Sequence, residues 1–166
     1  MQQSTSEPTV ILGVIGADCH AVGNKIIMSV LSQLSFQVIN LGVMVSQDEF
    51  IDAAIEHNAE AILVSSIYGH GEIDCAGLRE RCMERGLAEI ILYVGGNLVI
   101  GKRPFAEVQR LFAGMGYDRV FQPGIDLHDV AKLLRMDIHQ RRQPQWNQWL
   151  VAGHREHGVL DMAARA

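Results

Sequence analysis

Cysteine is scarce in this 166-residue chain: Cys19, Cys75 and Cys82 are the only three, and none stands in a CxxC pair. That is too few for a disulfide framework and fits a reducing cytosol. A surplus of positive charge is also missing, because 14 Lys and Arg against 19 Asp and Glu leave a net charge of -5. Phosphate backbones attract an excess of Lys and Arg, so nucleic acid is not the expected partner. No apolar run approaches the roughly 18 residues of a membrane span, and Met1–Thr9 lacks the basic-then-apolar order of a signal peptide. The expectation is a soluble, cytoplasmic protein without a membrane partner. Aromatic residues are few, at 6%, in a chain that is 48% hydrophobic and 20% charged, which excludes disordered and fibrous classes and suits one folded α/β domain with a single core.

What the chain does have is an alternation of short apolar runs with stretches of helical spacing. Val10–Gly16 is an almost unbroken apolar run ending in glycine, the pattern of a parallel strand buried on both faces. Phe36–Leu41, Ala61–Ser65, Ile90–Val94 and Arg119–Phe121 read as four further strands. Between them, Ile26, Ile27, Val30, Leu31 and Leu34 recur at helical spacing over Asn24–Leu34. Ser46 and Glu49 have the spacing of a capping box that opens the next helix, with Phe50, Ile51, Ala54 and Ile55 on its apolar face. Further helices are expected over Asp74–Arg85, closed by a left-handed Gly86, over Phe105–Met115 and over Asp126–Met136. Strands alternating with helices predict a doubly wound parallel sheet with right-handed crossovers, flavodoxin-like in the order 2-1-3-4-5.

Residues 1–8 read as a flexible N-terminus and 9–137 as the folded, ligand-binding domain. Beyond Asp137 the composition turns to Gln and Arg, with Trp146, Trp149, Leu150 and Val151 as a small apolar patch. Residues 138–166 are therefore expected to be an extension, either docked as a short amphipathic helix or mobile.

The unusual residues fall where open α/β sheets bind ligands, in the loops at the carboxyl ends of strands. Asp18-Cys19-His20-Ala21-Val22-Gly23 follows the first strand, Ser65-Ser66-Ile67-Tyr68-Gly69 the third, and Gly95-Gly96-Asn97 the fourth. In the order 2-1-3-4-5 these strands are neighbours, so the patches converge on one edge, and their small residues leave a slot for a flat organic group. Asp18 and His20 stand two apart at its entrance. A carboxylate that accepts the Nδ1 proton of an imidazole leaves Nε2 free to coordinate a metal. One histidine cannot hold a bare zinc ion, so a metal here must bring its other ligands with it, as cobalt in a corrin ring does.

The order Asp18-x-His20-x-x-Gly23, then Ser65-x-Ile67, then Gly95-Gly96 resembles the cobalamin-binding signature DxHxxG, SxL, GG, with Ile67 where leucine is usual. An apolar exchange of similar volume costs little where neighbours can repack. The longer stretches VIGADCHAVGNKI, NAEAILVSSIYGHGEIDCAGLR, LYVGGNLVIGK and MGYDRVFQPG are similar to the small subunit of glutamate (methylaspartate) mutase, over about residues 9–137. The resemblance implies that His20 displaces the dimethylbenzimidazole of the cofactor and becomes the axial cobalt ligand, with Asp18 fixing its tautomer. It implies that Ser65 meets the displaced base, that Ser66 and Ile67 continue that wall, and that Gly95 and Gly96 make room for the nucleotide tail. Asn97, Leu98, Val99, Ile100 and Gly101 would line the sugar-phosphate end, Ala17, Cys19 and Ala21 would touch corrin or tail through backbone atoms, and Gly23 would let the next helix start close to the ligand.

The reaction implied is an adenosylcobalamin-dependent isomerisation of L-glutamate to threo-3-methylaspartate by radicals, completed by a barrel-shaped large subunit in a heterotetramer. A corrinoid carrier or a light- or redox-sensing module would share the same patches, but such modules usually carry a helical cap domain for which no segment precedes Val10. A receiver domain needs an acidic cluster where Ser65-Ser66 stands, and a flavodoxin needs a hydroxyl-rich phosphate loop where Asp18-Cys19-His20 stands. Cys19 reads as a buried or backbone-facing cysteine and Cys75 and Cys82 as structural. Tyr68 and Tyr93 read as core aromatics with a hydroxyl near the edge, while His70, Glu72, Lys102 and Arg103 read as surface residues.

Overall fold

The computed structural model describes residues 6–143. Five strands, β1 (Thr9–Val14), β2 (Gln37–Asn40), β3 (Ala61–Ser66), β4 (Ile91–Gly96) and β5 (Arg119–Phe121), form one parallel sheet in the order β2-β1-β3-β4-β5. Helices α1 (Ala21–Gln33), α2 (Gln47–Glu56), α3 (Gly71–Cys75), α4 (Leu78–Glu84), α5 (Phe105–Gly114) and α6 (Leu127–Arg142) complete the flavodoxin-like arrangement.

Alternate side chains of each strand serve opposite faces, as the pleat requires. Ile11, Ile62, Val64, Leu92 and Val94 pack with Phe50 and Ile51 of α2, Leu78 and Cys82 of α4 and Phe112 of α5. Val10, Leu12, Leu63, Ile91 and Tyr93 pack on the other face with Leu31 of α1 and Val130, Leu134 and Ile138 of α6. Strands buried on both faces need apolar residues at every position, which is why the runs in the sequence were nearly continuous. The capping box at Ser46 is present, with the Ser46 side chain accepting from the Glu49 amide and the Glu49 carboxylate accepting from the Ser46 amide at 2.8 Å.

Two helices differ from expectation. The single helix expected over Asp74–Arg85 is divided into α3 and α4 at Ala76–Gly77, with Gly77 left-handed at φ 83°. The Gln47 side chain of α2 donates to the carbonyls of Asp74 and Ala76 at 2.7 and 2.9 Å, replacing bonds that a continuous helix would make within itself. At the other end of the chain, α6 continues past Met136 to Arg142. Its last turns are tied to the sheet by Ile138 in the core, by Arg141 on Asp118 and Glu89, and by Arg142 on Glu60. The Trp146–Val151 patch and most of the expected N-terminal arm lie outside the described residues.

The register matters most at the carboxyl edge. Val14 stands beside Ser65, Ser65 beside Gly95 and Gly95 beside Phe121, so one row across four strands carries a hydroxyl and a glycine at its centre.

Candidate cofactor site

The loop after β1 is held from two sides. On the β2 side, the Gly16 amide donates to the Val45 carbonyl at 2.9 Å and the Met44 amide donates to the Asp18 carbonyl at 3.0 Å. On the β3 side, the Ile67 amide donates to Asp18 Oδ2 at 2.6 Å. The other carboxylate oxygen, Oδ1, accepts from the His20 amide at 3.0 Å and lies 2.6 Å from His20 Nδ1. A carboxylate only accepts, so Nδ1 carries a proton in this pair, and in the neutral ring Nε2 then keeps its lone pair.

Burial and charge sharpen this division of labour. The Asp18 side chain is 0% exposed, whereas that of His20 is 57% exposed at the mouth of the site. Burial pushes the Asp18 carboxyl up, but the amides of Ile67 and His20 and the imidazole together outweigh it and hold the group below the ordinary carboxylate range. His20 also occupies the N-cap position of α1 and makes no side-chain capping bond there. The helix forgoes a cap worth about 1 kcal/mol while the ring is turned to Asp18 instead.

Behind the His20 loop a cleft of about 470 Å³ opens between the sheet edge and helices α1 and α6, within the usual size of small-molecule sites. Its floor is Ser65, Gly95 and Gly96, its α1 wall is Gly23, Ile26 and Ile27, and Ile67 and Asn97 border its mouth. The cleft depends on glycine for two different reasons. A Cβ on Gly95 would only touch Phe121, at 3.4 Å, so that position is kept small by the space it leaves. A Cβ on Gly96 would collide with the Ser66 carbonyl, and its φ of 117° is closed to other residues, so that position is fixed by the backbone.

The structure brings Gly23, Ser65, Ile67, Gly95, Gly96 and Asn97 together around this opening, while Asp18 and His20 do not line it and are joined to it through the Ile67 amide. Ala17, Cys19 and Ala21 flank them in the loop and the first turn of α1. Three expected contacts stand differently. Ser66 is fully buried and does not line the cleft, and its Oγ has no hydrogen-bond partner. Leu98 and Val99 are 2% and 6% exposed and their side chains belong to the core on the α2–α5 face, which leaves only their backbone for a ligand. Ile100, by contrast, is 68% exposed, and Gly101 is exposed beside it. Cys19, expected to be buried or backbone-facing, is exposed, whereas burial pushes the thiols of Cys75 and Cys82 up to about 12 and about 11, as inert structural cysteines require.

One wall of the cleft was missed in the sequence. Phe121, Gln122, Pro123, Gly124 and Ile125, between β5 and α6, close the side opposite α1. The signal available was the Pro123-Gly124 pair at the end of the fifth strand, on the same edge as the other loops. Among the described residues no group of three or more His, Cys, Asp or Glu could hold a metal ion, and no helix is long and apolar enough to cross a membrane.

An exposed imidazole locked by a buried carboxylate, over an apolar cleft at the edge of this sheet, defines the class: the B12 binding domain family matches residues 8–126. The glutamate mutase sigma subunit of Escherichia coli O157:H7 is 67% identical over 133 residues, covering 80% of this chain and 89% of that protein. The glutamate mutase sigma subunit of Carboxydothermus hydrogenoformans is 58% identical over 132 residues, covering 80% of this chain and 96% of its own. The chain belongs to the glutamate mutase sigma subunit family, within the B12-binding domains. A crystal structure of a novel cobalamin-binding protein from Desulfitobacterium hafniense DCB-2 shares the fold with a TM-score of 0.65 at 18% identity, covering 79% of this chain and 59% of that one.

Proposed function

We propose that this chain is the cobalamin-binding small subunit of an adenosylcobalamin-dependent glutamate mutase, acting with a large subunit on L-glutamate to give threo-3-methylaspartate. The observation that carries the reading is the His20–Asp18 pair at 2.6 Å, with Nε2 free beside a cleft of about 470 Å³. The residues fit the group: one exposed imidazole can supply a single nitrogen donor to a metal whose other ligands the cofactor brings, and the glycine-floored cleft admits a flat heterocycle.

When bound, adenosylcobalamin supplies the homolytic cobalt–carbon chemistry. The chain's own residues bind and orient. His20 Nε2 would hold the cobalt, and Asp18 would keep the ring in one tautomer and tune its basicity. Ser65 would offer its hydroxyl to the cofactor's base, and Gly95 and Gly96 would leave room for it. Ile67 and Gly23 face each other across the entrance, the Cβ position of Gly23 lying 3.9 Å from Ile67 Cδ1. Asn97 and the backbone from Leu98 to Gly101 would line the tail's outer end, and the backbone of Ala17, Cys19 and Ala21 would border the corrin.

The same edge carries Val22, Met44, Ile73 and Ile100, each at least 62% exposed. Apolar side chains grouped on one edge suit a partner surface, here a barrel-shaped large subunit in a heterotetramer formed in the cytoplasm. The cofactor-binding unit runs from residue 9 to the end of α6 at Arg142, five residues beyond the expected boundary at 137, and the residues that follow are an extension. The test is to mix the purified chain with adenosylcobalamin and a glutamate mutase large subunit, assay methylaspartate and record the cofactor spectrum. Wild type should turn over and His20→Gly should lose both the histidine-bound spectrum and most activity. Cofactor binding without turnover would favour a corrinoid carrier and overturn the mutase reading.

A further inference from the structure

We propose that Tyr68 is a positioning residue for the Asp18–His20 pair, its hydroxyl bridging the loop after β1 to Asp74 of α3. The inference rests on the reading of His20 as the cofactor ligand only for its consequence in binding; the bridge itself is a property of the chain alone.

Consecutive residues of the β3 loop grip consecutive residues of the β1 loop. Ile67 donates its amide to the Asp18 carboxylate at 2.6 Å, and Tyr68 accepts the Ala17 amide on its hydroxyl oxygen at 3.3 Å. The Tyr68 hydroxyl in turn donates to Asp74 Oδ2. An amide can only donate and a carboxylate only accept, so the single phenolic proton has one direction and the bridge is polar from end to end.

The far anchor is firm. Asp74 passes its own carbonyl to the Gln47 side chain of α2 at 2.7 Å, which ties the bridge to the helix layer. Its carboxylate lies against Gly16, where a Cβ would collide with it, so the turn that leads into Ala17 and Asp18 is seated directly on the Asp74 oxygen. The hydrogen bond to Asp74 pushes the Tyr68 phenol upward, which keeps the donating proton in place at neutral pH.

The β1 loop needs such a support because its other contacts hold Asp18 and Gly16 but leave the Ala17 amide to Tyr68. Tyr68 is only half-buried and stacks its ring near His70, with centroids 4.7 Å apart, so the sheet core does not require its hydroxyl. Without the bridge, the peptide that precedes Asp18 gains freedom, and the carboxylate would meet the imidazole in more than one arrangement.

The experiment uses the full chain, isotopically labelled, first without cofactor at a pH of about 8, where an ordinary imidazole is neutral. Long-range nitrogen–proton spectra report which His20 ring nitrogen carries the proton. Wild type should show it on Nδ1, Tyr68→Phe should show a mixture of tautomers, and Asp74→Asn, which keeps an acceptor, should fall between. Adenosylcobalamin titration should then show affinity about 3- to 10-fold weaker for Tyr68→Phe, the effect of one lost hydrogen bond. Asp118→Ala, which removes the acceptor of the Leu92 amide and Arg79 at the opposite end of the sheet, controls for general destabilisation. It should lower the melting temperature and leave the His20 nitrogens unmoved. Unchanged ring nitrogens and unchanged affinity in Tyr68→Phe, or equal movement in Asp118→Ala, would overturn the proposal. A wild-type chain that bound no cobalamin would overturn the cofactor reading instead, with the cofactor-free spectra still deciding the bridge.

Discussion

Asp18 links the loop after β1 to the loop after β3, its Oδ2 accepting the Ile67 amide at 2.6 Å while Oδ1 faces the His20 ring. One carboxylate therefore joins the ends of β1 and β3 and sets the tautomer of the exposed imidazole. Replacing it with an amide of the same shape separates these effects. Asp18→Asn keeps an oxygen for one partner but presents an NH₂ to the other, so either the Ile67 amide or the His20 Nδ1 proton loses its acceptor. Loss of such a supporting group around a metal ligand typically weakens binding by about 10- to 100-fold. Equilibrium titration with cobalamin should show a drop of that order, and an affinity within a factor of about two of wild type would exclude this role for Asp18.

The same carboxylate should leave a trace in the acid stability of the cofactor-free chain. Although burial acts to raise the pKa of Asp18, its hydrogen bonds from Ile67 and His20 hold it lower in the folded protein than in the unfolded chain. A depressed carboxyl contributes stability that is fully present above its unfolded pKa, about 4, and is lost as pH falls through the folded value. Urea midpoints measured from about pH 6 down to about pH 3 should fall more steeply for wild type than for Asp18→Asn. Asp137, held low by Arg119, declines equally in both proteins and cancels from the comparison. Parallel curves would mean that the Asp18 contacts add no net stability.

Gly95 and Gly96 are adjacent and should respond in opposite ways. Gly95→Leu places a side chain in open cleft with only ordinary contact at Phe121, so folding should change by less than about 1 kcal/mol while cobalamin binding falls sharply. Gly96→Ala forces a Cβ onto the Ser66 carbonyl at a φ of 117°, and should cost more than about 1 kcal/mol of stability before any question of binding arises. Thermal melts set beside cofactor titrations check both; a Gly95→Leu chain that binds normally would show that the cleft is not the place of the nucleotide tail.

Much of this architecture was legible in the sequence because local pattern and global fold agree. Val10–Gly16 and Ala61–Ser65 are apolar at each step because both faces of the central strands are covered, and Ser65 and Gly95 interrupt that rule only where the strands end. The pieces that were not legible depend on contacts distant in sequence. The break at Ala76–Gly77 is made by Gln47 of another helix, and the last turns of α6 are held by Glu60, Glu89 and Asp118. The alternation of a strand separates Ser65 from Ser66, whose adjacent hydroxyls look equivalent in sequence and face opposite sides of the sheet. Leu98 and Val99 follow a glycine pair that turns the chain back into the core, a change of direction that spacing alone does not reveal.

The wall from Phe121 to Ile125 supplies the last test, because it closes the cleft from the β5–α6 connection, which lies outside the three loop patches of the motif. Ile125 is 39% exposed, so it can accept a charged side chain without burying it fully in the core. Ile125→Glu should therefore leave the melting temperature nearly unchanged, surface substitutions usually lying within about 0.5 kcal/mol. In the bound state the same carboxylate would have to be desolvated against a heterocycle, a cost of at least about 1–3 kcal/mol, which corresponds to roughly 5- to 150-fold in affinity. Ile125→Leu, of equal volume, should bind as wild type does. If Ile125→Glu also bound as tightly as wild type, the displaced base would have to lie away from the β5–α6 connection, nearer α1 and Gly23.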